Sequence, residues 1–255
     1  MTWQEVEEAR RRSEGVAILP VGSVEQHAFH APVGTDSMVA IGVAEDVAKK
    51  TGAVVIPPLW FGWSPQHMGF PGTINIRPDI LSELVVDICT SMSAHGFNKI
   101  IIINGHRITN IPWLQLAAVK ARDKTGANVL IIDVAYMAKR VYEELRFGPL
   151  GHADEAETSH ILYLHKDLVH MDKAKKYTPP QEKYYYIDPR STDDTLIYLP
   201  SSPEVNLSRK ETSGGGRGDP TLATFEKGMR LHESLVNNIV ILINEVKSKS
   251  VQMQV

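Results

Sequence analysis

The sequence has little cysteine, no long apolar run and no excess of positive charge. Its single cysteine, Cys89, excludes an internal disulfide and is typical of a reducing cytoplasm. The longest apolar runs, such as residues 100–103, are far shorter than the ~20 residues that cross a bilayer, so we expect no membrane span. The acidic N-terminal segment does not resemble a signal peptide. These absences predict a cytoplasmic protein.

The charges are nearly balanced, with 27 Lys and Arg against 30 Asp and Glu and a formal net charge of −3. A chain without a summed positive field is not expected to bind nucleic acid or an anionic membrane. Hydrophobic residues make up 43% of the 255 residues and charged residues 22%, which is the composition of a globular protein with one substantial core. We therefore predict one domain over residues 1–255.

Short apolar runs alternate with longer segments of helical period along the chain. This pattern predicts strands joined by crossover helices in a mostly parallel sheet, and so an α/β fold. The predicted strands cover residues 16–21, 53–56, 99–103 and 128–133, and the predicted helices cover residues 36–50, 79–95, 112–124, 156–164 and 221–247. Two stretches with little period, residues 59–72 and 177–203, are predicted to be irregular.

A first group of polar residues follows the first predicted strand. Glu25 and His27 point to the same side of an extended backbone and could grip one metal ion. Asp36 comes at the mouth of the next helix, at the sheet edge where α/β proteins place their ligands. Structural interpretations stay open for both: the pair could lie in a solvated loop, and Asp36 could cap its helix.

Two more groups lie at comparable places in the sequence. His106 follows a buried strand through a glycine turn, and His152, Glu155 and Glu157 precede and enter a predicted helix. Each alone could be structural, as a turn histidine or as acids that favour a helix N-terminus. Together the three groups supply carboxylates and imidazoles in similar number. That mixture suits Zn²⁺, Mn²⁺ or Fe²⁺ rather than Ca²⁺, which prefers oxygen alone.

The order of these motifs resembles the creatininase (creatinine amidohydrolase) family. The resemblance runs from about residue 18 to residue 228. It rests on residues 19–27 with Gly34-Thr35-Asp36, on Phe70-Pro71-Gly72-Thr73, on Asn104-Gly105-His106, on residues 152–159 and on residues 218–228. It implies a three-layer α/β/α subunit assembled into a homohexamer. It also implies a two-metal site that hydrolyses a C–N bond in a small cyclic amide, such as a creatinine-like lactam, or in a formamide.

The same resemblance implies roles for individual residues. The metal ligands would be Glu25, His27, Asp36 as the bridging carboxylate, His106 and a fifth residue, with zinc expected first and manganese or iron as alternatives. Creatininase itself places a glutamate where this chain has Ile108, so we expect Glu157 as the fifth ligand, with Glu155 as the alternative. His152 matches the family's catalytic histidine and would protonate the leaving nitrogen. His30 and His67 are other candidates for that role.

Several positions depart from the family pattern. Ala28 and the segment Arg107-Ile108-Thr109 replace glycines that family members usually carry. Arg107 would place a fixed cation beside the metals, which predicts either an anionic substrate or an ion pair behind the ligands. Trp63 is predicted to line the substrate pocket. The replacements also leave an alternative function open, a catalytically silent family member that acts as a metal-stabilised structural or partner-binding subunit.

Overall fold

A sheet of four parallel strands in the order β2-β1-β3-β4 forms the centre of the computed structural model, which describes residues 1–178 and 203–248. The strands are β1 Val16–Val21, β2 Val54–Val55, β3 Lys99–Asn104 and β4 Asn128–Asp133. All of β1 and nearly all of β3 are buried, as continuous apolar runs require in a parallel sheet covered on both faces. Asn104 lies opposite Val21 on one side and Asp133 on the other, so three strands end at the same level.

Helices cover both faces of this sheet. They are α1 Trp3–Arg12, α2 Thr35–Thr51, α3 Pro78–Ala94, α4 Ile111–Thr125, α5 Lys139–Glu144, α6 Glu155–His165, α7 Pro203–Leu207, α8 Lys210–Ser213 and α9 Phe225–Ser248. Most predicted bounds are confirmed to within a few residues. One predicted bound is wrong, because the last helix starts only at Phe225 and a 3-10 turn occupies Pro220–Leu222. The sequence pattern does not predict the short helices α5, α7 and α8, nor α1, which begins with a capping box of Thr2 and Glu5.

Two hydrophobic clusters lie on opposite faces of the sheet. One joins it to α2, α5 and α9 and includes Val43, Leu235 and Ile239. The other joins it to α1, α3 and α4 and includes Leu81 and Leu114. The three-layer α/β/α architecture is therefore confirmed, and burial of these apolar side chains is its main source of stability.

The sequence predicts that two long segments without helical period, residues 59–72 and 177–203, are irregular. Residues 59–72 are irregular apart from isolated bridges and a 3-10 turn at Pro65–His67, so that prediction is confirmed. The second segment, residues 177–203, lies outside the described residues except at its two ends. In the described part of the chain no helix is long and apolar enough to cross a membrane.

Two buried histidines tie three helices together. His160 of α6 lies 2.9 Å from His232 of α9, measured between Nε2 and Nδ1, and His232 Nε2 lies 3.1 Å from Oδ2 of Asp46 on α2. Because the carboxylate accepts, His232 carries its proton on Nε2 and accepts from His160 at Nδ1. Burial and the neighbouring His232 lower the pKa of His160 to about 3. The ring is therefore neutral in the folded protein at neutral pH.

This neutral histidine makes stability depend on pH. Between pH ~6.5 and ~3 the unfolded chain binds a proton at His160 that the folded chain does not, so this residue lowers the free energy of unfolding by up to ~1.4 kcal/mol per unit of falling pH. In chelator-treated protein, urea denaturation should show that the stability advantage of the wild type over His160→Gln shrinks as the pH falls from 7 to 4. The advantage over the exposed control His165→Gln should not shrink in the same way. A constant difference for His160→Gln would contradict the prediction.

Candidate metal centre

A glycine turn brings the end of β3 against the start of α2. A side chain at Gly105 would place its Cβ 2.1 Å from the carbonyl oxygen of Asp36, a distance that no other residue tolerates. Glycine therefore lets the turn after Asn104 touch the first turn of α2. His106, the next residue, is held beside the Asp36 carboxylate as a result.

Asp36 lies between two imidazoles. Its Oδ1 is 3.2 Å from His27 Nε2 and its Oδ2 is 3.0 Å from His106 Nδ1. Gly34 is the N-cap of α2 and makes no side-chain capping bond, so the alternative in which Asp36 caps the helix is wrong. The Asp36 carboxylate can therefore interact with His27 and His106, which lie in two different loops.

Glu25 is surrounded by three more ring nitrogens. Its Oε2 lies 3.4 Å from His106 Nε2, and its Oε1 lies 3.4 Å from His67 Nε2 and 3.6 Å from His152 Nδ1. The side chain is only 1% exposed. Glu25, His27 and Asp36 each present a ligand atom within 4.8 Å of the other two, so the predicted first group does assemble.

The structure separates the two glutamates that were alternatives for the fifth ligand. Glu155 forms an ion pair with Lys227 through one oxygen and accepts a hydrogen bond from the Gly148 amide, 2.8 Å away, through the other. Glu157 instead accepts from the Ala153 amide at 2.6 Å and lies 3.8 Å from His27 Nε2. His27, His152 and Glu157 form a second group of close ligand atoms. Of the two, Glu157 is the one directed into the cluster.

A backbone carbonyl fixes one nitrogen of each central histidine. His27 Nδ1 lies 3.2 Å from the Glu25 carbonyl oxygen and His152 Nε2 lies 2.6 Å from the carbonyl oxygen of Gln26. His106 Nε2 lies 3.3 Å from the Trp63 carbonyl oxygen. Carbonyl oxygens only accept, so in His27 and His152 it is the other nitrogen that faces the carboxylates. In His106 the other nitrogen, Nδ1, faces Asp36, while Nε2 lies near both the Trp63 carbonyl and Glu25. This arrangement is the usual support of metal-ligating histidines.

The charges of the cluster displace the pKa values in opposite directions. Burial alone lowers the pKa of His27, but Asp36, Glu157 and Glu25 outweigh it and raise that pKa to about 10. The same balance, with Glu25 and Asp36 as the acids, raises the pKa of His106 to about 9. Protons on these two rings compensate the carboxylates, and a divalent cation would bind in exchange for them.

Two further groups of the cluster, Glu157 and His152, are shifted toward their neutral forms. Burial, followed by repulsion from Asp154, raises the pKa of Glu157 to about 8. Burial, followed by the neighbouring His67 and His27, lowers the pKa of His152 well below its ordinary value. The cluster thus holds a neutral imidazole next to its charged groups.

Two carboxylate oxygens lack a hydrogen bond. Oε2 of Glu25 and Oδ2 of Asp36 are buried without a hydrogen-bond partner, although the His106 ring lies close to both. Leaving a buried charged oxygen unsatisfied is costly, and a bound cation removes that cost. The donor set of imidazole and carboxylate, together with these two oxygens, fits transition-metal ions.

The predicted substrate-binding residues occupy different surroundings. The charges that act on Arg107 come from Asp133, Glu157 and Asp154, which raise its pKa against the effect of burial. These acids favour the ion-pair interpretation of Arg107 over a bound anionic substrate. The indole of Trp63 packs against the hydrophobic cluster under α3 and α4, and only its carbonyl reaches His106.

The sequence indicates two further histidines, His67 and His30, as candidate proton donors. His67 lies within the cluster, its ring stacked 4.4 Å from that of His152. His30 instead bonds to Thr158, with 2.8 Å between Nε2 and Oγ1. His67 therefore belongs to the site, and its position could not be derived from its sequence neighbours, which form an irregular loop.

The backbone beside the site histidines is strained. Ala28, Ile108 and Ala153 have φ angles of 54°, 59° and 48°, a left-handed conformation that favours glycine. Each follows a site histidine by one or two positions. None of the three is a glycine, so each pays the steric cost of this conformation.

The family model described as "Creatininase: Creatinine amidohydrolase" matches residues 1–243. The chain belongs to the creatininase family. A related solved structure, a creatinine amidohydrolase (creatininase), has a TM-score of 0.80 with 25% identity and covers 98% of this chain and 97% of its own. A mutant creatininase titled "Zn-Zn type" has a TM-score of 0.79 with 27% identity, again covering 98% of this chain and 97% of its own.

Curated relatives within the creatininase family carry several hydrolase names. Creatinine amidohydrolase of Pseudomonas putida is 28% identical over 75% of this chain and 82% of its own length. A mycofactocin precursor peptide peptidase of Mycolicibacterium smegmatis is 30% identical over 87% of this chain and 81% of its own. The 3-dehydro-scyllo-inosose hydrolase of Thermotoga maritima is 29% identical over 70% of this chain, and that match spans only 59% of the relative. The family thus identifies a hydrolase and leaves the substrate open.

The strain at Ile108 generates a prediction about stability. Replacing this half-exposed, β-branched residue by glycine should raise the free energy of unfolding by ~1 kcal/mol, because glycine adopts a positive φ without steric cost. Ile108→Val keeps the strained conformation and serves as the matched control, with little expected change. Urea denaturation of the chelator-treated proteins measures both. Equal stability of Ile108→Gly and the wild type would show that contacts of the isoleucine side chain offset the strain.

Proposed function

We propose that this creatininase-family protein is a two-metal amidohydrolase that cleaves a C–N bond of a small cyclic amide, such as a creatinine-like lactam, or of a formamide. The observation that carries the proposal is the pair of buried carboxylate oxygens, on Glu25 and Asp36, that have no hydrogen-bond partner and face imidazoles. Solved structures of creatininase named for zinc and manganese support divalent ions as the cofactor. Zn²⁺ is the first candidate, with Mn²⁺ and Fe²⁺ as alternatives.

The proposed ligands divide into two sets that share one carboxylate. Glu25, His106 and Asp36 would hold one ion, and His27, Glu157 and Asp36 the other. Asp36 suits the shared position because its two oxygens face His27 and His106 separately, at 3.2 and 3.0 Å. Two such ions supply an acidified water and a polarised carbonyl when bound.

His152 is the residue proposed to move the proton. Its Nε2 hydrogen is engaged by the Gln26 carbonyl oxygen, so Nδ1 is the nitrogen that faces Glu25 and the reaction space. Because the lowered pKa keeps this ring neutral, Nδ1 first accepts the proton that the attacking water releases as its oxygen bonds to the carbonyl carbon. Nδ1 then returns that proton to the nitrogen as the C–N bond breaks. Without this transfer the adduct expels hydroxide and reverts.

Peptides are the second substrate class to test. The Mycolicibacterium relative, named a peptidase, matches 87% of this chain, compared with 75% for the creatinine amidohydrolase of Pseudomonas putida. A screen should therefore include creatinine, cyclic ureas, formamides and short peptides with the metal-loaded protein. The absence of turnover on all of them with full metal content would favour the catalytically silent alternative. Assembly into a homohexamer, a cytoplasmic location and a substrate contact by Arg107 or Trp63 stay predictions.

Removal of the shared carboxylate should empty both metal positions. Asp36→Ala is expected to lose both ions together, because each set of ligands keeps only one carboxylate and one imidazole. Metal analysis of the purified protein by inductively coupled plasma mass spectrometry measures this. Asp87→Ala, which removes an exposed acid on α3, is the control and should keep both ions. Full metal occupancy in Asp36→Ala would refute the bridging role.

Loss of the proton carrier should affect turnover and not metal content. His152→Ala is expected to keep two ions and the fold but to lose ~10²–10⁴ in kcat on the amide that the screen identifies, the usual contribution of one general acid or base. His165→Ala, on the exposed end of α6, is the control. Loss of an ion in His152→Ala would make the residue a ligand, and unchanged kcat would assign the proton to another group.

A further inference from the structure

His67 lies against a proposed metal ligand but belongs to neither set of ligands. It ends the 3-10 turn Pro65–His67 in the loop after β2, and it is 4% exposed. Its Nε2 is 3.4 Å from Oε1 of Glu25. Its Nδ1 points the other way, toward the side-chain amides of Gln26 and Asn206. The role of the ring depends on which of its nitrogens carries a proton.

The orientation of the Gln26 amide is fixed by the backbone. Its Oε1 accepts a hydrogen bond from the Ala28 amide at 2.8 Å. The NH₂ end is therefore the one that faces His67, with Nε2 2.9 Å from Nδ1. An amide nitrogen of this kind only donates hydrogen bonds. Nδ1 of His67 must accept.

The Asn206 amide is fixed in the same way. Its Nδ2 donates to the Gln66 carbonyl oxygen at 2.9 Å, and its Oδ1 accepts from the Arg209 guanidinium. The second hydrogen of Nδ2 is directed at Nδ1 of His67, 3.3 Å away. Two donors thus face the same ring nitrogen. A proton on Nδ1 would point at the N–H groups of Gln26 and Asn206 and would leave no lone pair to accept from them. This excludes both the Nδ1–H tautomer and the cationic ring.

We propose that His67 is a positioning residue that is locked as the Nε2–H tautomer and holds the Glu25 carboxylate by donating a hydrogen bond to Oε1. Oε2, the oxygen without a hydrogen-bond partner, is left for the cation. This inference rests on the proposed function, since it takes Glu25 to be a metal ligand. Such supporting contacts typically change metal affinity 10- to 100-fold without joining the coordination sphere.

The competing interpretation makes His67 a ligand. Glu25, His67 and His152 present atoms within 4.8 Å of one another and could hold an ion between them. Coordination through Nε2 would require the ring proton to move to Nδ1, against the two amide donors. The two interpretations therefore differ in the number of ions bound and in the protonated nitrogen.

Zinc binding by the purified full-length protein separates them. Competition with a chelating dye should show that His67→Phe still binds two Zn²⁺ ions but 10- to 100-fold more weakly than the wild type. His67→Gln can place an N–H donor near Oε1 and should recover most of the affinity. Replacement of the exposed His95 by phenylalanine is the matched control and should bind as the wild type does.

The tautomer of His67 can also be measured directly in the wild-type protein, so this test does not require that a variant folds. Two-bond ¹H–¹⁵N NMR spectra of the wild type, before and after addition of Zn²⁺, should show His67 with a protonated Nε2 and an unprotonated Nδ1 in both. Coordination would instead appear as a proton on Nδ1 in the loaded protein, and would overturn the proposal.

Two results of the zinc-binding experiment would contradict the role proposed for His67. One ion fewer in His67→Phe makes the residue a ligand, and equal affinity of His67→Phe and the wild type reduces it to packing. Either result leaves the proposed metal centre intact. A wild-type protein that binds no Zn²⁺ overturns the metal centre and this inference together.

Discussion

The contact between the Gly105 turn and the first turn of α2 is the constraint on which the site depends. It brings the C-terminal end of β3 so close to Asp36 that only a hydrogen atom fits between them. A second approach of the same kind, Gly22 against Ser37, fixes the end of β1 to the same helix turn. Two strand ends are thereby fastened to one helix N-terminus. As a result, the loops that follow these strands place His27 and His106 next to the same carboxylate, that of Asp36.

Charge balance then decides how these side chains are arranged. Glu25, Asp36 and Glu157 are carboxylates within one cluster, and buried carboxylates require compensation. Protonated imidazoles provide it in the protein alone, which is why the pKa values of His27 and His106 rise to about 10 and 9. A divalent cation provides the same compensation with more charge at one point. The acids and histidines therefore form a site whose charge and ligand type both favour a metal ion.

Local rules predict which of these side chains lie together. Strand ends of a parallel sheet share an edge, so Glu25, His27 and His106 could be expected together without knowledge of the packing. The choice between Glu155 and Glu157 could not be made in this way, because it depends on Lys227, 72 residues along the chain from Glu155. Helix α1 is a case in which a local signal was present but not used, because Thr2 and Glu5 have the spacing of a capping box. Local pattern identifies candidate ligands, and contacts with residues distant in the sequence distinguish between similar candidates.

Hydrogen bonds on the far side of the rings of His106, His152 and His67 show the same dependence on distant residues, whereas His27 is held by a carbonyl only two residues away. Carbonyl oxygens of Glu25, Trp63 and Gln26 fix the outer nitrogens of His27, His106 and His152. His67 is oriented by Asn206, which is 139 residues away in the sequence. In His27 and His152 the nitrogen bound to the carbonyl is engaged, so the opposite nitrogen is the one that faces the carboxylates. The residues with a left-handed backbone, Ala28, Ile108 and Ala153, lie one or two positions after three of these histidines. Glycine is the easiest residue at such a position but not a necessary one, so these residues add a local steric cost to loops whose geometry is set by the site.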